Sequence, residues 1–231
     1  MRKTFDVRPR TRALMIAFGL IPALHVAAAA APAALAAAGL APWRLAWLSP
    51  IILFVLAPLA VRLGAIRRPL PSGQFAADSP QFLRWWFSAQ WQVVFTRLPL
   101  LEELLRLVPG LYSMWLRLWG ARIGSLVYWS PGVVILDRSL VRIGSRVIFG
   151  VGVRLNSHAI APDPQGTATL HVGPVTIGDD VLVGGYSLLL PGCVVAAGQV
   201  TPPFRSIHAF TRYERGGKAS GARDAADGTD A

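Results

Sequence analysis

The sequence predicts a triangular β-solenoid of hexapeptide repeats, preceded by a transmembrane helical hairpin and a set of amphipathic helices. Three observations carry this. Two long apolar stretches without charge, 13–43 and 45–61, lie near the start of the chain. An aromatic-rich segment with helical spacing follows them. From 123 onward a six-residue frame recurs.

The chain has 231 residues, of which 53% are hydrophobic and only 15% charged, against about 25% charged in ordinary soluble domains. It is too apolar to be disordered. Lys and Arg number 23 and Asp and Glu 12, a net charge of +11. The excess is local: residues 1–122 hold 14 basic and 4 acidic residues, and residues 123–231 hold 9 and 8. The basic residues therefore accompany the apolar half. With no nucleic-acid recognition motif in sight, they point to a membrane surface and not to nucleic acid. The single cysteine, Cys193, excludes an internal disulfide and any Cys-cluster metal site.

Residues 1–12 form a basic N-terminus with Arg2, Lys3, Arg8, Arg10 and Arg12. Residues 13–68 read as the hairpin. The first apolar stretch exceeds, and the second is close to, the ~20 residues that cross a bilayer, and only APWR separates them. Arg62, Arg67 and Arg68 follow the second stretch. The positive-inside rule places both ends in the cytoplasm, so the chain is expected in the inner (cytoplasmic) membrane with membrane lipids as neighbours. A long signal peptide with A-x-A cleavage options is the alternative for the first stretch. His25, polar within that stretch, is expected to face the hairpin partner.

Residues 69–119 read as an amphipathic, interfacial helical connector. Ser79 is an expected N-cap with Pro80 in the first turn. Pro109-Gly110 ends a leucine-rich helix carrying Leu100, Leu101, Leu104, Leu105 and Leu107. Seven of the eight tryptophans lie between Trp43 and Trp119. Trp and Tyr beside arginine favour the membrane–water interface; packing against the next domain is the alternative.

Residues 120–200 carry the repeat. The hexads begin at Ile123, Trp129, Ile135, Ile143, Phe149, Leu155, Ile177, Val183, Leu189 and Val195. First positions are apolar, second positions often Gly, and fifth positions small or β-branched until Gln199. Each hexad then makes one strand and one corner, three hexads close a coil, and each coil is covered by its neighbours. Glycines are expected to supply backbone conformations closed to other residues. Cys193 falls in a fifth position and reads as a packing residue. Residues 201–231 read as a C-terminal extension and disordered tail.

This pattern resembles the hexapeptide-repeat acyltransferases, in particular the galactoside- and maltose-acetyltransferase-like branch. The resemblance implies a left-handed parallel β-helix, a homotrimer with active sites between neighbouring helices, and an acyl-CoA, acetyl-CoA above all, as co-substrate with no bound cofactor or metal. An acyl-carrier thioester is the alternative donor. The basic, Pro-containing signature that holds the CoA phosphates in many relatives is replaced here by AAGQVTPPFRSIHAF, leaving Arg205, Arg212 or an arginine of a neighbouring subunit as substitutes.

The frame breaks after LNSHAI and resumes at PVTIG (Pro174 to Gly178), and the resemblance places the catalytic base at His158, the start of this excursion. Imidazole suits the role, since its pKa near ~6.5 lets it take a proton at neutral pH. A surface histidine at a coil corner is the alternative. The resemblance further implies that Asn156 orients the imidazole or the acceptor and that Gly185 offers a backbone N–H to the oxyanion. It also implies that Gly184, Tyr186, Ser187 and His171 line the acyl-donor or acceptor site. His171 could equally be a solvated loop residue. His208 has no expected role. The acceptor is expected to be a glycan, a lipid-linked molecule or another hydrophobic hydroxyl or amine held near the membrane. A non-catalytic scaffold docking a partner enzyme is the competing function. A zinc-dependent carbonic anhydrase of the same fold lacks its expected H-x-x-x-x-H spacing.

Overall fold

The computed structural model describes residues 7–163 and 167–214. Arg2, Lys3 and the polar tail beyond Glu214 lie outside the described residues.

Two helices, Pro9–Ala37 and Trp43–Arg67, are long and apolar enough to cross a membrane, each with a mean hydropathy of 2.0. The first comprises α1 (Pro9–Gly19) and α2 (Ile21–Ala37). The second opens with a 3-10 turn (Trp43–Trp47), continues as α3 (Leu48–Ile51), widens into a π-helical turn (Ile52–Leu56) and closes as α4 (Ala57–Arg67). Only 11% and 17% of their most apolar windows are buried, which is unlike the core helix of a soluble protein. A π turn breaks the regular i to i−4 ladder and leaves carbonyls needing donors. Two are met from other helices: His25 Nε2 lies 3.3 Å from the Ile52 carbonyl, and Trp115 Nε1 donates to the Phe54 carbonyl at 2.8 Å. His25 thus faces the hairpin partner, as its position in the sequence suggested.

The connector differs from expectation in two ways. First, Gly73–Ala76 forms a strand, β1, whose partner lies in the later excursion. Second, most of its large aromatics are buried. Helices α5 (Pro80–Arg97), α6 (Leu100–Arg106) and α7 (Leu111–Leu118) follow. Ser79 caps α5 as predicted, its Oγ accepting from the Phe82 N–H at 3.1 Å. Gly110, at φ +79°, separates α6 from α7. Trp85, Phe95, Tyr112, Trp115 and Trp119 are all buried. Phe95, Trp115 and Trp119 meet edge to face, with centroids 4.8–5.9 Å apart. Together with Ala57 and Val61 of α4 they share one core with Ile123, Ile135 and Val141. These rings therefore pack against the first coil instead of lying at a bilayer surface. The interfacial pattern survives on α6 and its C-terminal flank, where Leu101 and Leu105 pack inward while Leu100, Leu104 and Leu107 stay exposed.

The solenoid has the predicted three faces. Its first coil is β2 (Arg122–Ile123), β3 (Tyr128–Trp129) and β4 (Val134–Ile135). The second is β5 (Val141–Ile143), β6 (Ile148–Phe149) and β7 (Arg154–Leu155). The excursion follows as β8 (His158–Pro162) and β9 (Ala168–Val172). The third coil is β10 (Val175–Ile177), β11 (Leu182–Val183) and β12 (Leu188–Leu189). The fourth is β13 (Val194–Val195), a bridge from Val200 to Leu182, and β14 (Ser206–Ile207); β15 (Arg212–Tyr213) opens a fifth. The coils stack as three parallel sheets, β2-β5-β10-β13-β15, β3-β6-β11 and β4-β7-β12-β14. The ladder thus runs past the expected end at 200 to Tyr213. Gln199 does not end the repeat, because Thr201 takes the next first position, is buried, and accepts the Gly184 N–H through its Oγ1 at 3.0 Å.

First positions fill the interior; Trp129 and Phe149 stack between coils at 4.7 Å. Cys193 is fully buried in its packing slot, and burial pushes its thiol up to about 12. The glycines fall into two groups: Gly132, Gly152, Gly192 and Gly198, at fourth positions, take left-handed backbone (φ 68–74°) as expected, whereas those at second positions do not. Left-handed backbone belongs to the fourth position of the hexads: Leu126, Arg146, Asp180, Tyr186, Phe204 and Phe210 all have φ of 56–59°. Second-position glycines are instead required by closeness. A Cβ on Gly124 would come within 2.5 Å of the Gly144 carbonyl carbon, and one on Gly178 within 2.6 Å of the Ala197 nitrogen. Gly178→Ala is therefore expected to cost about 1–3 kcal/mol through overpacking. Leu126→Asn, at an exposed left-handed corner, should gain about 1 kcal/mol by relieving backbone strain. Thermal melts of the two variants check both signs.

Candidate active site

The corner between the third and first sheets brings together the side chains best suited to chemistry. In the first coil it holds Asp137, third in the hexad ILDRSL. In the second it holds His158, fourth in LNSHAI, where the chain leaves the frame as β8. Because Ile135 pairs with Leu155, stacking alone brings Asp137 beneath Ser157 and His158. The Asp137 carboxylate is 2% exposed and its Oδ2 lies 2.6 Å from His158 Nδ1. Trp85 Nε1 donates to the other oxygen at 3.2 Å, and the Trp85 ring lies 4.6 Å from the imidazole. A carboxylate at Nδ1 fixes the tautomer with its proton there, leaving Nε2 as the basic nitrogen. Burial pushes the imidazole pKa down, but the Asp137 charge and hydrogen bond outweigh it and hold the pKa above its ordinary 6.5. This is a histidine oriented and made more basic by a buried carboxylate, an arrangement suited to general-base work.

Sequence reasoning missed Asp137 and Trp85. The signal for Asp137 was present: once the two-residue slip between the first and second coils is counted, a carboxylate falls one coil below the histidine.

A polar network holds this corner. The Arg138 backbone N–H donates to Gln92 Oε1 at 2.6 Å, and its buried guanidinium pairs with Glu102, Nε to Oε1 at 2.6 Å. Tyr112 donates to the other Glu102 oxygen at 2.7 Å. Arg106 adds a bond to the Val133 carbonyl at 2.8 Å. Helices α5, α6 and α7 thereby grip the residue adjacent to Asp137. The excursion closes the other side: β8 and β9 pair antiparallel, β1 joins β9 as third strand, and Leu170 and Val172 pack on Phe82 and Trp85.

The other expected site residues are dispersed. Asn156 does not orient the imidazole through Nδ1, which is taken by Asp137; its own Oδ1 is buried and has no hydrogen-bond partner among the described residues. Gly185 lies at a different corner, above Val151, where the Tyr186 N–H donates to the Val151 carbonyl at 2.7 Å. Within one chain it is not beside His158. Gly184 gives its N–H to Thr201, and fully buried Ser187 is held by Pro202 and Arg205. The Gly184 N–H and the Ser187 hydroxyl are thus engaged within the solenoid. Tyr186 is exposed and stacks on Phe204 at 5.3 Å. His171 sits in β9 opposite Ala159, while His158 is opposite Val172. Strand alternation therefore puts the two histidines on opposite faces, so His171 neither assists His158 nor lies in an open loop. Of the two arginines proposed for CoA, Arg212 pairs with Glu214 at 2.9 Å, and Arg205 lies 5.8 Å from the Tyr213 ring.

No protein-family model matches the chain. Nodulation protein L of Rhizobium leguminosarum bv. viciae is 40% identical over 73 residues, 31% of this chain and 38% of that protein. A Dictyostelium discoideum protein described as a candidate acetyltransferase is 30% identical over 76 residues, 32% of this chain and 40% of that protein. The chain thus spans less than half the length of either relative. Among solved structures, a hexapeptide-repeat acetyltransferase of Vibrio cholerae in complex with acetyl-CoA shares 20% identity over 54% of this chain and 84% of its own, with a TM-score of 0.35. A maltose O-acetyltransferase of Clostridium difficile shares 15% over 62% of this chain and 88% of its own, with a TM-score of 0.31. Over part of its length, then, this chain is similar to proteins named as acetyltransferases.

Proposed function

We propose that this protein is a membrane-anchored acyltransferase of the hexapeptide-repeat type, its solenoid a left-handed parallel β-helix. In this reading it moves an acetyl or other acyl group from acyl-CoA to a hydroxyl or amine of a glycan or lipid-linked acceptor. The observation that carries it is the buried Asp137 carboxylate 2.6 Å from His158 Nδ1, at the corner where the repeat opens into its excursion. His158 Nε2 removes the acceptor's proton as its oxygen attacks the thioester carbonyl. The C–S bond breaks, and the departing thiolate takes the proton back from the imidazolium, which Asp137 has stabilised meanwhile. The apolar helices support anchoring. Arg10 and Arg68, at the two basic ends of the hairpin, border one cavity and so lie on one side, as a cytoplasmic-facing catalytic domain requires.

A homotrimer would use the outward residues of the second sheet. Tyr128, Ile148, Leu182 and Val200 are aligned across successive coils and exposed. In such an assembly the Gly185 corner of one copy supplies the N–H donor beside His158 of the next.

The test is release of CoA thiol from acetyl-CoA by the purified full-length protein, with envelope lipid and glycan fractions as acceptors and mass spectrometry of the product. Acceptor-dependent thiol release with a matching acyl mass gain is expected. No release with any fraction would remove the enzymatic reading and leave a scaffold.

A further inference from the structure

Beside the Asp137–His158 corner, on the side of the two long helices, lies a cavity that the catalytic reading does not use. This cavity, of about 630 Å³, lies between α1, α4, α5 and the solenoid. Asp137 and Trp85, the two groups that hold His158, form part of its lining. Leu14 and Phe18 of α1, Val61 of α4, and Leu83 and Phe87 of α5 give it apolar walls. Three arginines from three different helices or their ends, Arg10, Arg68 and Arg84, also border it. Among the described residues none of these three pairs with a carboxylate, whereas the nearby Arg8 is taken by Asp78 at 2.6 Å.

Three unpaired like charges around an apolar cleft repel one another, and a bound anion with an apolar tail relieves both conditions at once. We infer that this cavity binds the acceptor, and that the acceptor is a lipid with a net-anionic phosphate head. Its phosphate is held by Arg10, Arg68 and Arg84. Its chain lies along Leu14, Phe18, Leu83 and Phe87, continuous with the exposed apolar surface of the two long helices. Its head group is directed toward the Asp137–His158 corner. This rests on the acyltransferase reading for the word acceptor, but the binding site itself does not. A soluble phosphorylated sugar would have no use for the apolar walls, which is why a lipid is favoured over a free phosphate ester.

The experiment uses the full-length protein in detergent and native mass spectrometry with three lipids of equal chain length: phosphatidic acid, phosphatidylcholine and diacylglycerol. Phosphatidic acid should be retained about tenfold or more over the other two, because three basic side chains attract its anionic headgroup. The triple variant R10Q/R68Q/R84Q, changed only at exposed side chains, should lose that preference, and the Lys triple variant should keep most of it. Gly64 lines the cavity, and a Cβ there meets nothing within 4 Å, so Gly64→Trp should fill the cleft and block all three lipids. Acetyl-CoA binding should be unchanged throughout. Equal retention of the three lipids by the native protein overturns the inference, as does an unchanged preference in the Gln variant. Displacement of phosphatidic acid by glycerol 3-phosphate would assign the site to a soluble ester. Loss of acetyl-CoA binding in the Gln variant would assign the arginines to the donor. If the lipid preference holds while no thiol is ever released from acetyl-CoA, the site stands and the acyltransferase reading is what fails.

Discussion

His158→Ala is expected to lower acceptor-dependent acyl transfer by about 10²–10⁴-fold while leaving the solenoid folded, since the histidine sits on a partly exposed strand outside the stacked coils. Asp137→Asn should approach the same loss by a different route, because an amide can present its donor to Nδ1 and stabilise the wrong tautomer. The pH dependence separates the two roles. Transfer needs neutral imidazole, and Asp137 holds the His158 pKa above 6.5, so the native rate should fall on the acid side of a pKa above that value. Removing the charge leaves only burial, which pushes the pKa down, so the acid limb in Asp137→Asn should move to lower pH. An unmoved limb would strip Asp137 of its part. The stability sign follows from the same shift. A raised folded-state pKa gives stabilisation that is complete below 6.5 and fades as pH rises through the folded value. The difference in melting temperature between native and Asp137→Asn protein should therefore be larger in acid than in alkali.

Glu102→Ala should produce the largest loss of stability. Arg138 and Glu102 are both nearly inaccessible, at 1% and 4% exposure, and the guanidinium has no other carboxylate partner among the described residues. Breaking a buried pair by removing one member typically costs about 3–5 kcal/mol, or roughly 10 °C in melting temperature for a chain of this size. Tyr112 loses its acceptor in the same step. The double variant Glu102→Leu with Arg138→Met should recover much of the loss, because two apolar groups leave no charge uncompensated. If the single variant melts like the native protein, the pair is not what holds α6 to the first coil. Activity should fall with stability in Glu102→Ala, because the backbone that Arg138 anchors is the one that presents Asp137.

The coils were legible because their constraint is local. An interior tightly packed by neighbouring coils demands an aliphatic at each first position, and Ile123, Ile143 and Ile177 announce it. The histidine was legible for the same reason, being placed where the frame breaks. Its partner was not, because Asp137 and His158 meet only after the slip that lengthens one coil is counted. The tryptophans misled because a ring such as Trp115 satisfies equally an interface and a buried plug, and spacing does not say which surface it meets. Strand β1 and the excursion were invisible as partners, since antiparallel pairing of Gln74 with His171 depends on helices that carry the chain back across the site. Glycine identity was read correctly but its cause was not: Gly124 and Gly178 are required by the neighbouring coil's backbone, which no single hexad reveals.

The indole of Trp115 and the imidazole of His25 both reach into the π turn of the second long helix. His25 thereby ties the two long helices to each other, and Trp115 ties the second of them to α7, which packs on the first coil. Where the two long helices span a bilayer, as proposed above, that tie fixes the height of His158 above the hydrocarbon, as on a depth gauge. An acyltransferase built as proposed would discriminate among acceptors by how far their reactive hydroxyl stands from the lipid surface, before any pocket recognises what the hydroxyl belongs to.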